Sequence, residues 1–243
     1  MRILVLQHSA GDGPAEFETV VRELGHTVQI IRLDLEQRLP PSVDCDMLAT
    51  FGGAFSLAMD QQPDWVAAEQ VLIRQYIAAG RRVMGVCLGS QLIASALGGL
   101  VRRNRVPEVG WHRVEQTPSH ASQLIRDCFP QQTTVLQWHR DTFDIPPGAS
   151  RIFQSEACDN QAFAIGDQVF GFQFHLEANE QTVKIFSAVA GIHRSLNAAN
   201  ESASNRTELP STVHSIADIR LQTAVHLPEQ SNLLKRFLTQ WLA

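Results

Sequence analysis

The sequence lacks the features that mark membrane, secreted and nucleic-acid-binding proteins. No apolar run approaches the roughly 18 residues of a spanning helix, and residues 3–6 form too short a run for a signal peptide. The 20 Lys and Arg residues are outnumbered by 25 Asp and Glu residues, which gives a formal net charge of -5. A basic surface for nucleic acid or for a membrane is therefore not expected. These absences predict a cytoplasmic protein that binds neither partner.

Cysteine is scarce, and nucleotide-binding motifs are missing. The four cysteines, Cys45, Cys87, Cys128 and Cys158, form no Cys-x-x-Cys pair, which argues against a disulfide framework and against structural zinc. No glycine-rich loop carries a lysine that could hold a phosphate, so ATP is not implied. We therefore expect neither a metal nor a cofactor.

The first part of the chain alternates between strand and helix patterns. Apolar runs at residues 3–6, 28–33 and 47–51 predict buried strands. Apolar residues at helical spacing predict one helix that Pro14 opens and another over residues 65–79. This alternation is typical of an α/β fold with a mostly parallel sheet and helices on both faces.

The second half of the chain shows a different pattern of apolar residues and turn signals. From Gly110 onward, short apolar runs and turn signals replace the helical patterns, so this half is expected to be β-rich and to add antiparallel strands. These predicted strands lie at residues 111–115, 133–138, 151–154, 161–165 and 169–174.

A sharp turn is predicted between a strand at residues 83–86 and a helix at residues 88–97. Cys87 lies on this turn, and its neighbours two positions away on either side are Gly85 and Gly89. A tight strand-to-helix turn needs such small residues because larger ones would collide with the bent backbone. Free N–H groups and the positive end of the helix dipole favour a thiolate. Cys87 is therefore a candidate nucleophile.

A histidine and a glutamate follow the last predicted strand. His175 comes directly after residues 169–174, at the strand end expected to lie beside Cys87. Glu177 follows two positions later, where its carboxylate can fix the tautomer of the imidazole and stabilise the imidazolium. The sequence thus predicts a catalytic set of Cys87, His175 and Glu177.

The two motifs together resemble a known enzyme family. The sequence Gly-Val-Cys-Leu-Gly-Ser-Gln at residues 85–91 resembles the active-site signature of class I, triad-type glutamine amidotransferases, and it is similar to the glutaminase domain of GMP synthetase. The Phe-His-x-Glu pattern some 90 residues later fits the same family, although Leu176 stands where the family has proline. The resemblance implies a flavodoxin-like class I amidotransferase fold.

The resemblance also implies which residues bind the reacting group and the substrate. Backbone N–H groups of Gly53 and Leu88 correspond to the oxyanion hole, with Ala54 in place of the usual proline. Gly52 belongs to the same glycine pair and is expected to border the substrate.

Further substrate contacts are implied by two other segments. One contact is Gln91, which lies in the helix after Cys87. The segment Gln-Trp-His-Arg-Asp at residues 137–141 resembles the Ser-His-Gly-Asp segment of the GMP synthetase domain. Its Trp138 and His139 are expected to hold substrate through backbone groups, and a metal-binding role of the His139 side chain is disfavoured. His8 could line the mouth of the site, with solvent exposure as the default expectation.

The implied reaction releases ammonia from the glutamine side chain through a γ-glutamyl thioester on Cys87. Residues 178–243 leave no room for a second domain that would accept ammonia, so a separate synthetase subunit is one expected partner. Alternatively, the enzyme acts alone as a γ-glutamyl peptide hydrolase. A third reading is a regulatory subunit that keeps the fold without activity, but the intact Cys, His and Glu argue against it.

The end of the chain is expected to be an appendage. The amidotransferase domain is predicted to cover residues 1–192, closing with a helix from about 180 to 190. Residues 193–243 are predicted to form a polar linker, centred on 195–211, and an amphipathic helix over 229–242. We expect this helix to pack on the domain rather than to bind a partner.

Overall fold

A computed structural model gives the three-dimensional arrangement of the chain. It describes residues 1–59, 61–118, 122–200 and 210–243, and within residues 191–200 it describes the backbone alone. In these ranges no helix is both long enough and apolar enough to cross a membrane.

The described residues contain nine strands that form one sheet. The strands are β1 (Arg2–Gln7), β2 (Thr27–Arg32), β3 (Met47–Thr50), β4 (Arg82–Val86), β5 (Val101–Gln116), β6 (Gln132–Phe143), β7 (Ser150–Gln154), β8 (Ala162–Ile165) and β9 (Val169–Phe172). Their order across the sheet is β2-β1-β3-β4-β9-β8-β7-β5-β6. The five strands from β2 to β9 are parallel, and the remaining four continue the sheet in antiparallel fashion. The predicted parallel first half and antiparallel second half are confirmed.

Six α-helices are described alongside the sheet. They are α1 (Ala15–Glu23), α2 (Asp64–Ala78), α3 (Leu88–Ala96), α4 (Gln123–Cys128), α5 (Glu180–Asn200) and α6 (Ile216–Trp241). A short 3-10 turn follows β2 at Leu33–Leu35.

The helices cover both faces of the sheet because side chains alternate along each strand. On β1, Ile3 and Val5 belong to an apolar cluster that includes Phe17 of α1 and Phe237 of α6. The intervening leucines of β1 belong to a second cluster with side chains of α2 and α3. The expected two-faced arrangement is therefore confirmed.

The two C-terminal helices differ from their predicted lengths. α5 continues to Asn200 instead of ending near residue 190, and α6 begins at Ile216 instead of residue 229. The linker predicted at residues 195–211 therefore overlaps the end of α5 but not α6, and its central residues 201–209 lie outside the described residues. Pro228 lies inside α6, although proline usually breaks or kinks a helix. The division of the chain at residue 192 stays a prediction.

β5 is also longer than predicted. It begins at Val101 rather than at residue 111, and pairs with β6 along most of its length, with an irregularity between Arg103 and Glu108. The arginine-rich start of β5 shows no regular apolar alternation, because several of its side chains are exposed at this side of the sheet.

Candidate active site

The turn at Cys87 has the predicted sharp geometry. Cys87 joins β4 to α3 with φ 52° and ψ -111°, a conformation that residues other than glycine rarely adopt. A Cβ on Gly85 would lie 2.6 Å from the backbone of Gly89, and a Cβ on Gly89 would lie 2.0 Å from the carbonyl oxygen of Thr50. Only glycine fits at either position. The packed surroundings thus hold a strained backbone, at a cost of about 1–3 kcal/mol, and place the thiol at the helix start.

Parallel pairing of β4 with β9 brings the two distant motifs to one end of the sheet. Val86 is aligned with Phe172, and the N–H of Cys87 donates to the carbonyl of Phe172 over 2.8 Å. His175 follows shortly after β9, and its N–H donates to the carbonyl of Leu136 on β6 over 2.8 Å. The chain therefore delivers His175 to the edge of the sheet that carries Cys87.

His175 and Glu177 form a buried pair. Nδ1 of His175 is 2.9 Å from Oε1 of Glu177, and both side chains are 1% exposed. Burial alone lowers the pKa of His175, but the negative charges of Glu177 and of the Cys87 thiolate outweigh it and raise this pKa well above its usual value. Nε2 of the ring is buried, and the Cys87 side chain is the one group among the described residues that interacts with it. That nitrogen is available to exchange a proton.

Leucine replaces the proline that the resemblance places between these two residues. Leu176 is fully buried in the same apolar cluster as Phe174, and its N–H donates to the carbonyl of Phe174 over 3.2 Å. Proline has no N–H and could not make this bond. Packing and this hydrogen bond hold the turn that carries Glu177.

Gly52 and Gly53 follow β3 and lie against the same centre. A Cβ on Gly52 would be 3.3 Å from Cε1 of His175, and a Cβ on Gly53 would be 3.0 Å from Cδ2 of Leu88. Gly53, Leu88 and Cys87 line one cavity. The two residues predicted to supply oxyanion-binding N–H groups are thus brought together beside the thiol.

Trp138 and His139 border this cavity in different ways. The carbonyl oxygen of Trp138 is 4.0 Å from Sγ of Cys87. The His139 ring is buried, with Nδ1 2.9 Å from the carbonyl oxygen of Asp141 and Nε2 3.1 Å from the Glu108 carboxylate. Both ring nitrogens are therefore occupied by protein groups. This arrangement fits the predicted backbone role of His139 better than a side-chain role.

Gln91 reaches the cavity from α3 and is 3% exposed. Its amide nitrogen donates to Oε1 of Gln173 over 3.1 Å and is 3.5 Å from the carbonyl oxygen of Asp141. Its carbonyl oxygen accepts no hydrogen bond from a described residue, so this oxygen is the part of Gln91 available to a ligand.

The cavity has a volume of about 710 Å³, and part of its wall comes from α5. The ring of Phe186 on α5 lies 5.0 Å from that of Trp138 and 4.9 Å from that of His175, measured between ring centroids. Residues 9–12, in the loop after β1, form another part of the wall. Sequence reasoning assigned neither segment to the site. The apolar group of Ile185, Phe186 and Val189 was the available signal, and it looked like an ordinary amphipathic helix.

A second missed contribution comes from α6. The side chain of Gln230 is fully buried and accepts a hydrogen bond from the N–H of Leu136 over 2.9 Å. Its amide nitrogen donates to the carbonyl of His175 over 3.0 Å. Gln230 therefore ties the C-terminal helix to the backbone of His175.

The default expectation of a solvent-exposed His8 is wrong. Its side chain is 2% exposed, with Nε2 2.8 Å from Oε2 of Glu69 and Nδ1 3.1 Å from the carbonyl oxygen of Phe51. Burial lowers the pKa of His8, but the Glu69 carboxylate and the Phe51 carbonyl outweigh it, so this pKa is raised. A Cβ on Gly53 would lie 2.9 Å from Cβ of His8. The pair of His8 and Glu69 therefore packs against the loop that contains Gly52 and Gly53.

The other cysteines are buried and lie outside this cavity. Burial raises the pKa of Cys45, of Cys158 and of Cys128, the last to about 11. A high pKa leaves little thiolate, as expected for unreactive thiols. No group of three or more His, Cys, Asp or Glu side chains in the described ranges could hold a metal ion.

Comparison with known proteins identifies the family of the chain. The family model for class I glutamine amidotransferases matches residues 17–186, which include Cys87, His175 and Glu177. The chain belongs to this family. The predicted family membership is confirmed.

Relatives of the chain carry several different names. The chain is 32% identical over 188 residues to the glutamine amidotransferase-like protein YfeJ of Salmonella typhimurium, covering 76% of this chain and 79% of that protein. It is 38% identical over 116 residues to a subunit of the glutamine-hydrolyzing GMP synthase of Saccharolobus solfataricus, covering 46% and 60%. It is 28% identical over 126 residues to gamma-glutamyl peptidase 2 of Arabidopsis thaliana, covering 49% of each. The predicted similarity to GMP synthetase is confirmed.

A solved structure shares the fold of the amidotransferase. The crystal structure of a glutamine amidotransferase from Methylobacillus flagellatus superimposes with a TM-score of 0.85 at 29% identity, covering 99% of this chain and 94% of that one. The predicted class I amidotransferase fold is confirmed.

Proposed function

We propose that this amidotransferase hydrolyses the side-chain amide of glutamine through a γ-glutamyl thioester on Cys87. One observation carries the proposal. The strained turn at Cys87 and the buried pair of His175 and Glu177 meet at one end of the sheet, beside a cavity that opens onto the thiol. Cys with an adjacent base that a carboxylate orients is the arrangement needed for nucleophilic catalysis.

The reaction proceeds in two steps. The Cys87 thiolate attacks the carboxamide carbon, and N–H groups of Gly53 and Leu88 stabilise the oxyanion of the tetrahedral intermediate. The His175 imidazolium then gives its proton to the departing ammonia, which leaves the γ-glutamyl thioester. In the second step neutral His175 takes a proton from water, the hydroxide attacks the thioester carbonyl, and glutamate leaves as the thiolate forms again. Glu177 orients the His175 ring and stabilises the imidazolium whenever it forms.

Ammonia released in this way requires an acceptor. We propose a separate synthetase subunit, because the chain resembles a protein that is named as one subunit of a GMP synthase. In the described part of the chain, α5 and α6 pack against the sheet and form no second domain of their own.

A second candidate function is hydrolysis of γ-glutamyl peptides without a partner. The cavity of about 710 Å³ is in the range of about 300–1,000 Å³ that accommodates drug-sized ligands, and so it is larger than free glutamine requires. The similarity to gamma-glutamyl peptidase 2 supports the same candidate. The chemistry at Cys87 is unchanged, since only the leaving amine differs.

Two assays of the purified protein separate these functions. Ammonia release is measured from glutamine, and amino acid release is measured from γ-glutamyl dipeptides, with Cys87→Ala as the inactive control. Turnover of glutamine supports the amidotransferase function, and turnover of dipeptides alone supports the peptidase. No turnover of either class, with or without candidate synthetase partners, would favour a regulatory subunit.

A further inference from the structure

One arginine on the cavity wall has no ion-pair partner among the described residues. Arg140 is exposed and lines the cavity that contains Cys87. The other arginine of the cavity, Arg103, is neutralised, because its Nη1 is 3.2 Å from Oδ1 of Asp141. The other oxygen of Asp141 accepts a hydrogen bond from the hydroxyl of Ser56. The Asp141 carboxylate thus contacts Arg103 and Ser56 and forms no ion pair with Arg140.

The second carboxylate of the cavity does not neutralise Arg140 either. Asp12 lies in the loop after β1, accepts a hydrogen bond from the hydroxyl of Ser9 and borders Gly52. It is not within ion-pair distance of Arg140. The guanidinium therefore keeps its donors for a group that enters the cavity.

The position of Arg140 on β6 fits a role toward substrate. Residues two apart on a strand point to the same face, so Arg140 shares a face with Trp138 while the intervening His139 ring is held by Glu108. The carbonyl oxygen of Trp138 is 4.0 Å from Sγ of Cys87. Arg140 lies about 7 Å farther along the strand, a span that a γ-glutamyl compound and the long arginine side chain can bridge.

The residue at position 140 differs in type from its counterpart in the segment that it resembles. The segment that Arg140 occupies resembles Ser-His-Gly-Asp, in which glycine stands at the corresponding place and offers no charge. Guanidinium binds carboxylates through two parallel hydrogen bonds and is weakly hydrated, so it suits a partly open cavity.

We propose that Arg140 binds a carboxylate of the γ-glutamyl substrate. This inference rests on the function proposed above and adds the substrate group that the cavity recognises. Two carboxylates lie a few bonds from the reacting carbon: the α-carboxylate of the γ-glutamyl group, and the carboxylate of the leaving amine when that amine is an amino acid.

Three substrates and one substitution distinguish these sources. Glutamine and γ-glutamylethylamide carry the α-carboxylate alone, whereas γ-glutamylglycine carries both carboxylates. We expect Arg140→Gln to lower kcat/KM by about tenfold or more, as for loss of a charged hydrogen bond. A loss with all three substrates identifies the α-carboxylate, and a loss with γ-glutamylglycine alone identifies the leaving group. Unchanged kcat/KM with every substrate that the protein hydrolyses overturns the inference.

Two further variants exclude a general effect of charge. Arg140→Lys keeps the charge and is expected to recover part of the lost kcat/KM. Arg102→Gln removes an exposed arginine of β5 that pairs with Asp144 and does not line the cavity. This control is expected to behave as the unsubstituted protein, and an equal loss in Arg102→Gln would show that Arg140 has no specific role.

A binding measurement makes the inference independent of turnover. Affinity for γ-glutamylglycine is measured by calorimetry with Cys87→Ala and with Cys87→Ala combined with Arg140→Gln. We expect the second substitution to weaken binding at least tenfold. If binding depends on Arg140 but the unsubstituted protein shows no turnover, the proposed hydrolysis is contradicted and the carboxylate subsite at Arg140 is still supported. Equal affinities, or no binding at all, overturn the subsite.

Discussion

The two walls of the cavity are built by different means. The wall from the parallel half consists of the turn at Cys87 and the glycine loop after β3, and short-range sterics fix it, as at Gly89. The opposite wall comes from β6 and α5, and the ring of His175 packs against Phe186 of α5. There the positions depend on contacts between distant residues, such as the hydrogen bonds of Gln230 with Leu136 and His175. The first wall was visible as a motif, whereas the contributions of α5 and α6 to the second required the folded chain.

The largest expected effect tests whether the second wall matters as much to chemistry as the first. His175→Asn should lower kcat by about 10⁴-fold or more, because the base of a nucleophile-base pair acts as a unit with its nucleophile. Kinetics with glutamine, or with the preferred γ-glutamyl substrate, provide the measurement. The control is His112→Asn, since His112 stacks on His214 outside the cavity. It should change kcat by about twofold at most, and similar losses in both variants would contradict the assignment.

The next effect probes the steric origin of the first wall. Gly89→Ala should lower the free energy of unfolding by about 3 kcal/mol or more, because its Cβ would lie 2.0 Å from a backbone oxygen. Gly25→Ala is the matched control, since Gly25 has φ 81° but a Cβ added there would meet no atom within 4 Å. That substitution should cost about 1 kcal/mol through backbone strain alone. Urea unfolding measures both, and equal costs would show that crowding does not shape the turn.

A smaller effect tests the long-range support of the second wall. Gln230→Leu leaves the Leu136 N–H and the His175 carbonyl without their partner. We expect a loss of about 1–3 kcal/mol in unfolding free energy and a fall in kcat larger than any rise in KM. Gln222→Leu, at a partly exposed position of the same helix, should change neither. A stability loss without any change in kcat would mean that α6 supports the fold but not His175.

The smallest effect concerns the ion pair beneath the glycine loop. The pKa of His8 is raised in the folded protein, so its stabilising contribution is complete below its usual value of 6.5 and is lost as the pH rises through the raised value. The difference in unfolding free energy between the unsubstituted protein and His8→Asn should therefore shrink from about pH 6 to about pH 9. Comparing the two proteins cancels the contribution of His175. A difference that stays constant or grows would show that His8 is not charged in the fold.

Much of the fold could be predicted because the apolar patterns are local. The alternation of strand and helix patterns before Gly110 is a direct consequence of buried strands covered by helices. The sharp turn at Cys87 is visible in the sequence because it requires the small residues Gly85 and Gly89. The lengths of β5 and α6 could not be read in the same way. Pairing with β6 extends β5 through an arginine-rich segment. The first turns of α6 pack on the sheet through the buried Ile219, which belongs to the same apolar cluster as Trp111 and Leu136.

Candidate residues of the site could be proposed from the sequence where a local motif surrounds each of them, and their catalytic roles stay predictions. Cys87, His175 and Glu177 fit that description. His8 does not, because the carboxylate that pairs with it is 61 residues away. Phe186 and Gln230 were missed because their partners are also distant in sequence. The pattern of an amphipathic helix indicates which face of the helix is buried, but not which residues that face contacts.

The central claim is that Cys87 carries the γ-glutamyl group during turnover, and mass spectrometry of an acid-quenched reaction tests it most directly. The protein is mixed with glutamine or with γ-glutamylglycine, quenched within the first turnovers and digested. The account predicts that the peptide containing Cys87 gains the mass of one γ-glutamyl group, and that Cys87→Ala shows no adduct. Hydrolysis that proceeds at full rate in Cys87→Ala would contradict it.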